Sequence, residues 1–239
     1  MRKLILSISI LLCFVAVSSA GPLQRAHMAV LSQYNSGGSS PPATCGILNY
    51  NAEGYSDGDN LTTAGWTGDN TDDIEIDTSQ YHSGSASIQM AMVGSGSSSC
   101  EKTYSAQSGQ HYVSFWLRAG GTDPTHTLFY PVSFYSSTTE ILYFKIDDAS
   151  VSVSDVSSLV DTTFDITADT WHNFVFVIDA SSDTYTVFID GSQYLSGETL
   201  DLETAVSDAD GIHISNYIER STAYVWLDDF CIQSGGYTP

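Results

Sequence analysis

From Cys45 onward the chain alternates apolar and polar residues in short runs. Such runs are SASIQMAMV (85–93), HYVSFWLRA (111–119), HTLFYPVSFYS (126–136), EILYFKID (140–147), ASVSVSDV (149–156), HNFVFVID (172–179), TYTVFIDG (184–191), GIHISNYI (211–218) and AYVWLDDFCI (223–232). They are rich in Val, Ile, Phe, Tyr and Thr, and a period of two residues places alternate side chains on opposite faces of a strand. Turn-forming clusters separate them: SGQ (108–110), AGGTDP (119–124), ASSD (180–183), DGS (190–192) and DADG (208–211). Many strands at close spacing, with no long amphipathic helix, predict an all-β sandwich or barrel. FVIDASSDTYTVFIDG reads as an antiparallel hairpin across ASSD, with the next reversal at Asp190-Gly191.

The two ends follow other rules. MRKLILSISILLCFVAVSSA has a basic start, an apolar run too short to span a bilayer, and small residues at Ser18 and Ala20. That pattern predicts a secretory signal peptide over 1–20. Residues 21–43 end in a Gly/Ser/Pro run and read as a flexible leader or tether, in which AHMAVL is too short for a stable isolated helix. The sandwich is expected over 44–233, with a frayed tail over 234–239.

Charge narrows the partners. The full chain carries a formal net charge of −21. Beyond residue 20 the basic residues are Arg25, Lys102, Arg118, Lys145 and Arg220, against 28 acids. That field repels nucleic acid and anionic membranes, argues against membrane insertion, and attracts cations, Ca²⁺ above all. Beyond the leader, Cys45, Cys100 and Cys231 allow one disulfide and one free thiol in an oxidising compartment. Composition alone leaves the pairing open.

Four segments resemble known elements. YHSGSASIQM (81–90), HYVSFWLRA (111–119), TWHNFVFVIDASSDTYTVFIDG (170–191) and YVWLDDFCI (224–232), in that order and spacing, resemble the concanavalin A-like lectin/glucanase and laminin G-like pattern. NYNAEGYSDGDNLTTAGW (49–66) resembles the first strand of jelly-roll carbohydrate-binding modules, although Ala52 stands where an aromatic is usual. The resemblance spans roughly 45–233. It implies a two-sheet antiparallel jelly-roll β-sandwich whose first and last strands are neighbours, which favours Cys45–Cys231 as the disulfide. It also implies a structural Ca²⁺ shared by Glu53 and the Asp228-Asp229 pair, with Asp57 and Asp59 nearby. Oxygen-rich carboxylate sets suit that ion, and a solvated acidic edge is the plain alternative. No His or Cys spacing suggests zinc.

Catalysis has a weaker basis. Asp73, Glu75 and Asp77 of DDIEID share one strand face, as do the acids of laminarinase- and lichenase-type glucanases. Those use Glu-x-Asp-x-Glu, and retaining chemistry needs two carboxyls about 5–5.5 Å apart. Here the outer positions are Asp, and moving the register by two leaves Ser79 or Gln80, neither an acid, at the third position. Ile74 and Ile76 are expected inward and the acids outward. A lyase of this fold needs a Tyr/His base, a Gln or Asn, and an Arg against a uronate, and five basic residues are few for that. His82, His126, His172 and His213 accompany no nucleophile motif.

Sugar rings stack on aromatic faces. Tyr130, Phe134, Tyr135 and Tyr143 are the candidate ligand-binding residues, with Tyr130 and Phe134 on one face unless Pro131 breaks the register. Ordinary cross-strand packing is the plain alternative. The resemblance implies core roles for Trp116 and Trp171, and Trp66 is expected to seal a sandwich edge. The leading expectation is a secreted, non-catalytic module that binds polysaccharide or a surface glycan. A glucanase or lyase, and an adhesive appendage or coat protein, are the alternatives.

Overall fold

The structure is a computed structural model that describes residues 45–69, 73–92, 98–121, 128–154, 158–199, 207–216 and 223–239. The expected signal peptide and tether, with His126, Arg25 and Arg220, lie outside these residues. Among the described residues, fifteen strands form two antiparallel sheets. In chain order they are β1 (Leu48–Tyr50), β2 (Thr67–Asp69), β3 (Ile74–Asp77), β4 (Ser87–Met92), β5 (Ser99–Gln107), β6 (Gln110–Gly121), β7 (Leu128–Ser136) and β8 (Thr139–Asp147). They continue with β9 (Ser150–Ser154), β10 (Leu159–Asp165), β11 (Trp171–Asp179), β12 (Thr184–Ile189), β13 (Ser192–Thr199), β14 (Ala209–Ser215) and β15 (Ala223–Ser234).

The eight-stranded sheet runs β13-β12-β11-β6-β15-β4-β3, with β1 also paired to β15. The seven-stranded sheet runs β10-β9-β8-β7-β14-β5-β2. The expected two-sheet antiparallel sandwich is therefore the observed one, and its first and last described strands pair, Asn49 opposite Cys231. Cys45 is disulfide-bonded to Cys231. The closed loop is long, so a chain-entropy estimate puts its stabilisation at roughly 5 kcal/mol.

The core lies between the sheets. Phe115, Phe174 and Phe176 from the eight-stranded sheet meet Phe134 and Phe144 from the other, with Phe115–Phe176 centroids 5.9 Å and Phe134–Phe176 centroids 5.0 Å apart. Trp66 is buried edge-on against Tyr50 and Phe230, at the position expected to seal the sandwich. The hairpins form as the turns predict. β11 and β12 pair across 180–183, and Asp190 and Gly191 take φ of 50° and 76° between β12 and β13. Positive φ at both central residues is the twist-compatible hairpin turn that Asp-Gly favours.

Two aromatic expectations are corrected. Trp116 and Trp171 lie outside the inter-sheet core, on the outer face of the eight-stranded sheet, because Phe115 and Phe174 are the neighbours that point inward. Trp116 is buried there by stacking on His82, centroids 3.7 Å apart. The tail, read as frayed, carries Tyr237 onto Tyr112 and Phe188 at 5.5 and 5.2 Å, over a small outer cluster that includes the disulfide.

Candidate functional site

The seven-stranded sheet turns one face to the core and the other outward. On β7, Val132 and Phe134 are fully buried in the core, whereas Ser133 and Tyr135 face out. Simple alternation would send Tyr130 inward with them. The β7–β8 register shifts between Phe129 and Val132, around Pro131, which lacks the N–H a ladder needs. Tyr130 is thereby turned to the outer face. Phe134, expected beside it, is instead a core residue.

A cavity of about 460 Å³ opens on this outer face, lined by Ser99, Tyr130, Ser133, Tyr135, Glu140, Tyr143, His213 and Ser215. Cross-strand register builds it: Glu101, His213, Ser133 and Tyr143 are successive partners across β5, β14, β7 and β8. Three of the four predicted tyrosine and phenylalanine candidates thus meet in one place. Small serines lie between larger rings, so a hollow results instead of a filled ridge.

The rings are held. Tyr130 and Tyr143 meet edge to face at 5.4 Å, and Tyr135 tilts against His213 at 4.2 Å. The Tyr135 hydroxyl donates to Glu140 Oε2 at 2.8 Å, His213 Nε2 lies 3.3 Å from Glu101 Oε2, and the Ser215 hydroxyl donates to the Tyr130 carbonyl at 2.8 Å. Burial, then the hydrogen bond to Glu140, pushes the Tyr135 phenol up to about 12. It therefore stays a neutral donor at ordinary pH. The site offers three aromatic faces, an imidazole, a carboxylate and several hydroxyls, a set suited to the C–H faces and hydroxyls of a sugar.

Glu140, His213 and the serines were not among the sequence candidates. Alternation in GIHIS already sets His213 and Ser215 opposite the buried Ile212 and Ile214. What it cannot show is that β14 lies between β5 and β7.

The predicted metal residues also converge. On its far side from β6, β15 pairs with β4 through Leu227 and with β1 from Phe230, and it bulges between them, with Asp229 at φ 52°. The turn at 82–85 fills this fork. Asp228 Oδ2 accepts from the His82 and Ser83 backbone N–H groups at 2.9 and 3.1 Å. Asp229 takes the Ser83 hydroxyl at 2.7 Å and lies 2.9 Å from His82 Nδ1. Glu53 accepts from the Ser85 N–H and hydroxyl, each at 2.6 Å. A Cβ on Gly84 would collide with Glu53. Burial, then the charge of Asp229, pushes the Asp228 carboxyl up to about 7, while the Ser85 hydrogen bonds hold Glu53 below the usual carboxylate range. Asp57 and Asp59 instead take hydrogen bonds from Thr78 and Ser56. Among the described residues, no group of three or more His, Cys, Asp or Glu has metal-ligand geometry.

The acids of β3 lie on the outer face, with Ile74 and Ile76 fully buried beneath. Asp77 is not a wet carboxylate. It accepts from Trp226 Nε1 at 2.6 Å and Gln89 Nε2 at 2.7 Å. Burial works to raise its proton affinity, but hydrogen bonds led by Ser79 outweigh it and hold the carboxyl low.

The fold and the site define a jelly-roll β-sandwich with an aromatic, hydroxyl-rich cavity on one outer sheet face. Solved structures of the same fold include the cellulose induced protein Cip1, at 17% identity, TM-score 0.57, covering 79% of this chain and 97% of that one. A conserved carbohydrate esterase from Shiga toxin-encoding bacteriophage phi24B matches at 13% identity, TM-score 0.57, over 77% and 96%. Botulinum neurotoxin type C matches at 11% identity, TM-score 0.53, over 70% of this chain and 42% of that one. No family model and no curated protein sequence matches the chain. At these identities the likeness is one of fold, and a fold matched by 425 chains does not select a function.

Proposed function

We propose that this domain binds carbohydrate in the cavity of the seven-stranded sheet. The observation that carries the reading is the meeting of Tyr130, Tyr135 and Tyr143 with Glu140, His213 and three serines around one hollow. Rings alone would be packing; rings around a space of sugar size, with polar side chains among the lining, have room for a ligand. The names of structural neighbours support the same direction: one is induced by cellulose, one is a carbohydrate esterase, and one depends on two ganglioside molecules for cell entry. The concanavalin A-like lectin resemblance of the sequence agrees with it. The test is titration calorimetry against a panel of oligosaccharides. Tyr143→Ala should weaken binding about tenfold or more while leaving the melting midpoint nearly unchanged. Binding that survives this substitution at full strength removes the cavity as the site.

The same reading takes the protein as exported, with Cys45–Cys231 suited to an oxidising compartment. It also takes Ca²⁺ as a structural ligand at Glu53, Asp228 and Asp229. All three carboxylates bond the turn at 82–85, where His82 pairs with Asp229, and a cation would favour the charged form of Asp228, which burial and then the Asp229 charge disfavour. A melting midpoint unchanged between Ca²⁺ and chelator removes that ion, because a ligand of the native state must stabilise it. Polysaccharide cleavage is a second reading. It is favoured by the Tyr135 hydroxyl and the His213 imidazole, which line the cavity and pair with Glu140 and Glu101. It predicts new chain ends from a polymer that the protein binds.

A further inference from the structure

Resting on the carbohydrate-binding reading, we infer that the cavity selects its glycan by charge: it takes neutral or amino-substituted sugars and rejects those bearing uronate or other carboxylate groups. One acid lines the cavity and a second lies behind its lining. Glu140 lines it directly, bonded to Tyr135, and Glu101 stands behind His213. A carboxylate on a sugar in the cavity would meet the Glu140 charge, with Glu101 adding a field of the same sign, and like charges repel more at a protein surface than in bulk water.

No described cation answers them. Lys102 donates to the Gly65 carbonyl at 2.7 Å, near the sandwich edge by Tyr50. Arg118 belongs to the other sheet, where it bonds Gln80 and Asp169 and lies over Trp226. Lys145 shares the outer face with Tyr143 but pairs with Asp147 at 3.0 Å and does not line the cavity. Among the described lining residues, His213 is the one that can become cationic, and it already faces Glu101. Protonated, it neutralises that acid and leaves Glu140 uncompensated. The chain's net charge of −21 adds a long-range field of the same sign. A cationic amino group on the sugar has the opposite relation to Glu140, which can accept its hydrogen bond as a charged pair.

The experiment is calorimetric titration of the exported chain with three oligosaccharides of equal length at low ionic strength: neutral, amino-bearing and uronate-bearing. The neutral and amino-bearing sugars should bind, and the uronate-bearing one should bind about tenfold or more weakly. The gap should narrow in about 0.5 M salt, where exposed charges are screened. Glu140→Gln keeps an acceptor for Tyr135 while removing the charge. It should also narrow the gap, with Glu101→Gln as a second variant should the first fold poorly. A uronate sugar that binds as tightly as its neutral counterpart overturns the charge selection and leaves carbohydrate binding standing. Failure of all three to bind overturns both.

Discussion

The two outer faces of this sandwich are built from the same alternating pattern, yet they end differently. On the eight-stranded sheet the chain covers several of its own aromatics, while Tyr224 stays exposed beside Trp226. His82 lies flat on Trp116, Asp77 caps the Trp226 indole, and Tyr237 with the disulfide closes over Tyr112 and Phe188. On the seven-stranded sheet, Tyr130, Tyr135 and Tyr143 surround a hollow. An outward aromatic is therefore not in itself a binding residue. It is a candidate for one where small neighbours such as Ser133 leave room beside it.

The comparison can be broken in order of effect. Cys231→Ser should cost the most, roughly 5 kcal/mol by loop-closure entropy, read as a large fall in denaturation midpoint. An unchanged midpoint would mean that the covered face does not depend on its staple. Next, Phe134→Ala should cost about 3–5 kcal/mol, as for large core aromatics. Tyr143→Ala should cost well under that and act on ligand affinity instead. These two residues sit on the paired strands β7 and β8 but on opposite faces, so equal stability losses would erase the distinction between core and cavity. Trp226→Phe keeps an aromatic ring but removes part of the indole and the N–H bonded to Asp77. A loss of about 1.5–3 kcal/mol is expected for a hydrogen bond to a charged, buried acceptor, measured by urea denaturation.

The smallest expected effect is a pH dependence. His111 is fully buried, and desolvation lowers its proton affinity below the ordinary imidazole value. The unfolded chain therefore binds its proton first as pH falls. The stability that neutral His111 contributes is complete above about pH 6.5 and is lost as pH drops from there toward its lower folded value. His111→Gln should flatten that part of the pH–stability curve. A curve of unchanged slope would assign the acid sensitivity elsewhere.

Much of this was legible in the chain. Ile74 and Ile76 facing in, the ASSD hairpin and the Asp190-Gly191 reversal follow from local rules of alternation and positive φ. The convergence of Glu53 with Asp228 and Asp229 was legible only through resemblance, because it needs β1 and β4 to share β15. Trp116 was misplaced because burial by a turn and burial by a second sheet look alike in sequence. Phe134 was misplaced because one shift of register at Pro131 separates it from Tyr130.

The sequence by itself determined the strands, their turns and which side chains share a face, since these depend on neighbours two or three residues away. Which strands lie side by side, which outer face is covered, and hence that residues 99, 130, 143 and 213 border one cavity, were decided by tertiary structure. Those pairings join segments far apart in the chain, and their energy comes from burying both sheets at once, which no local pattern encodes.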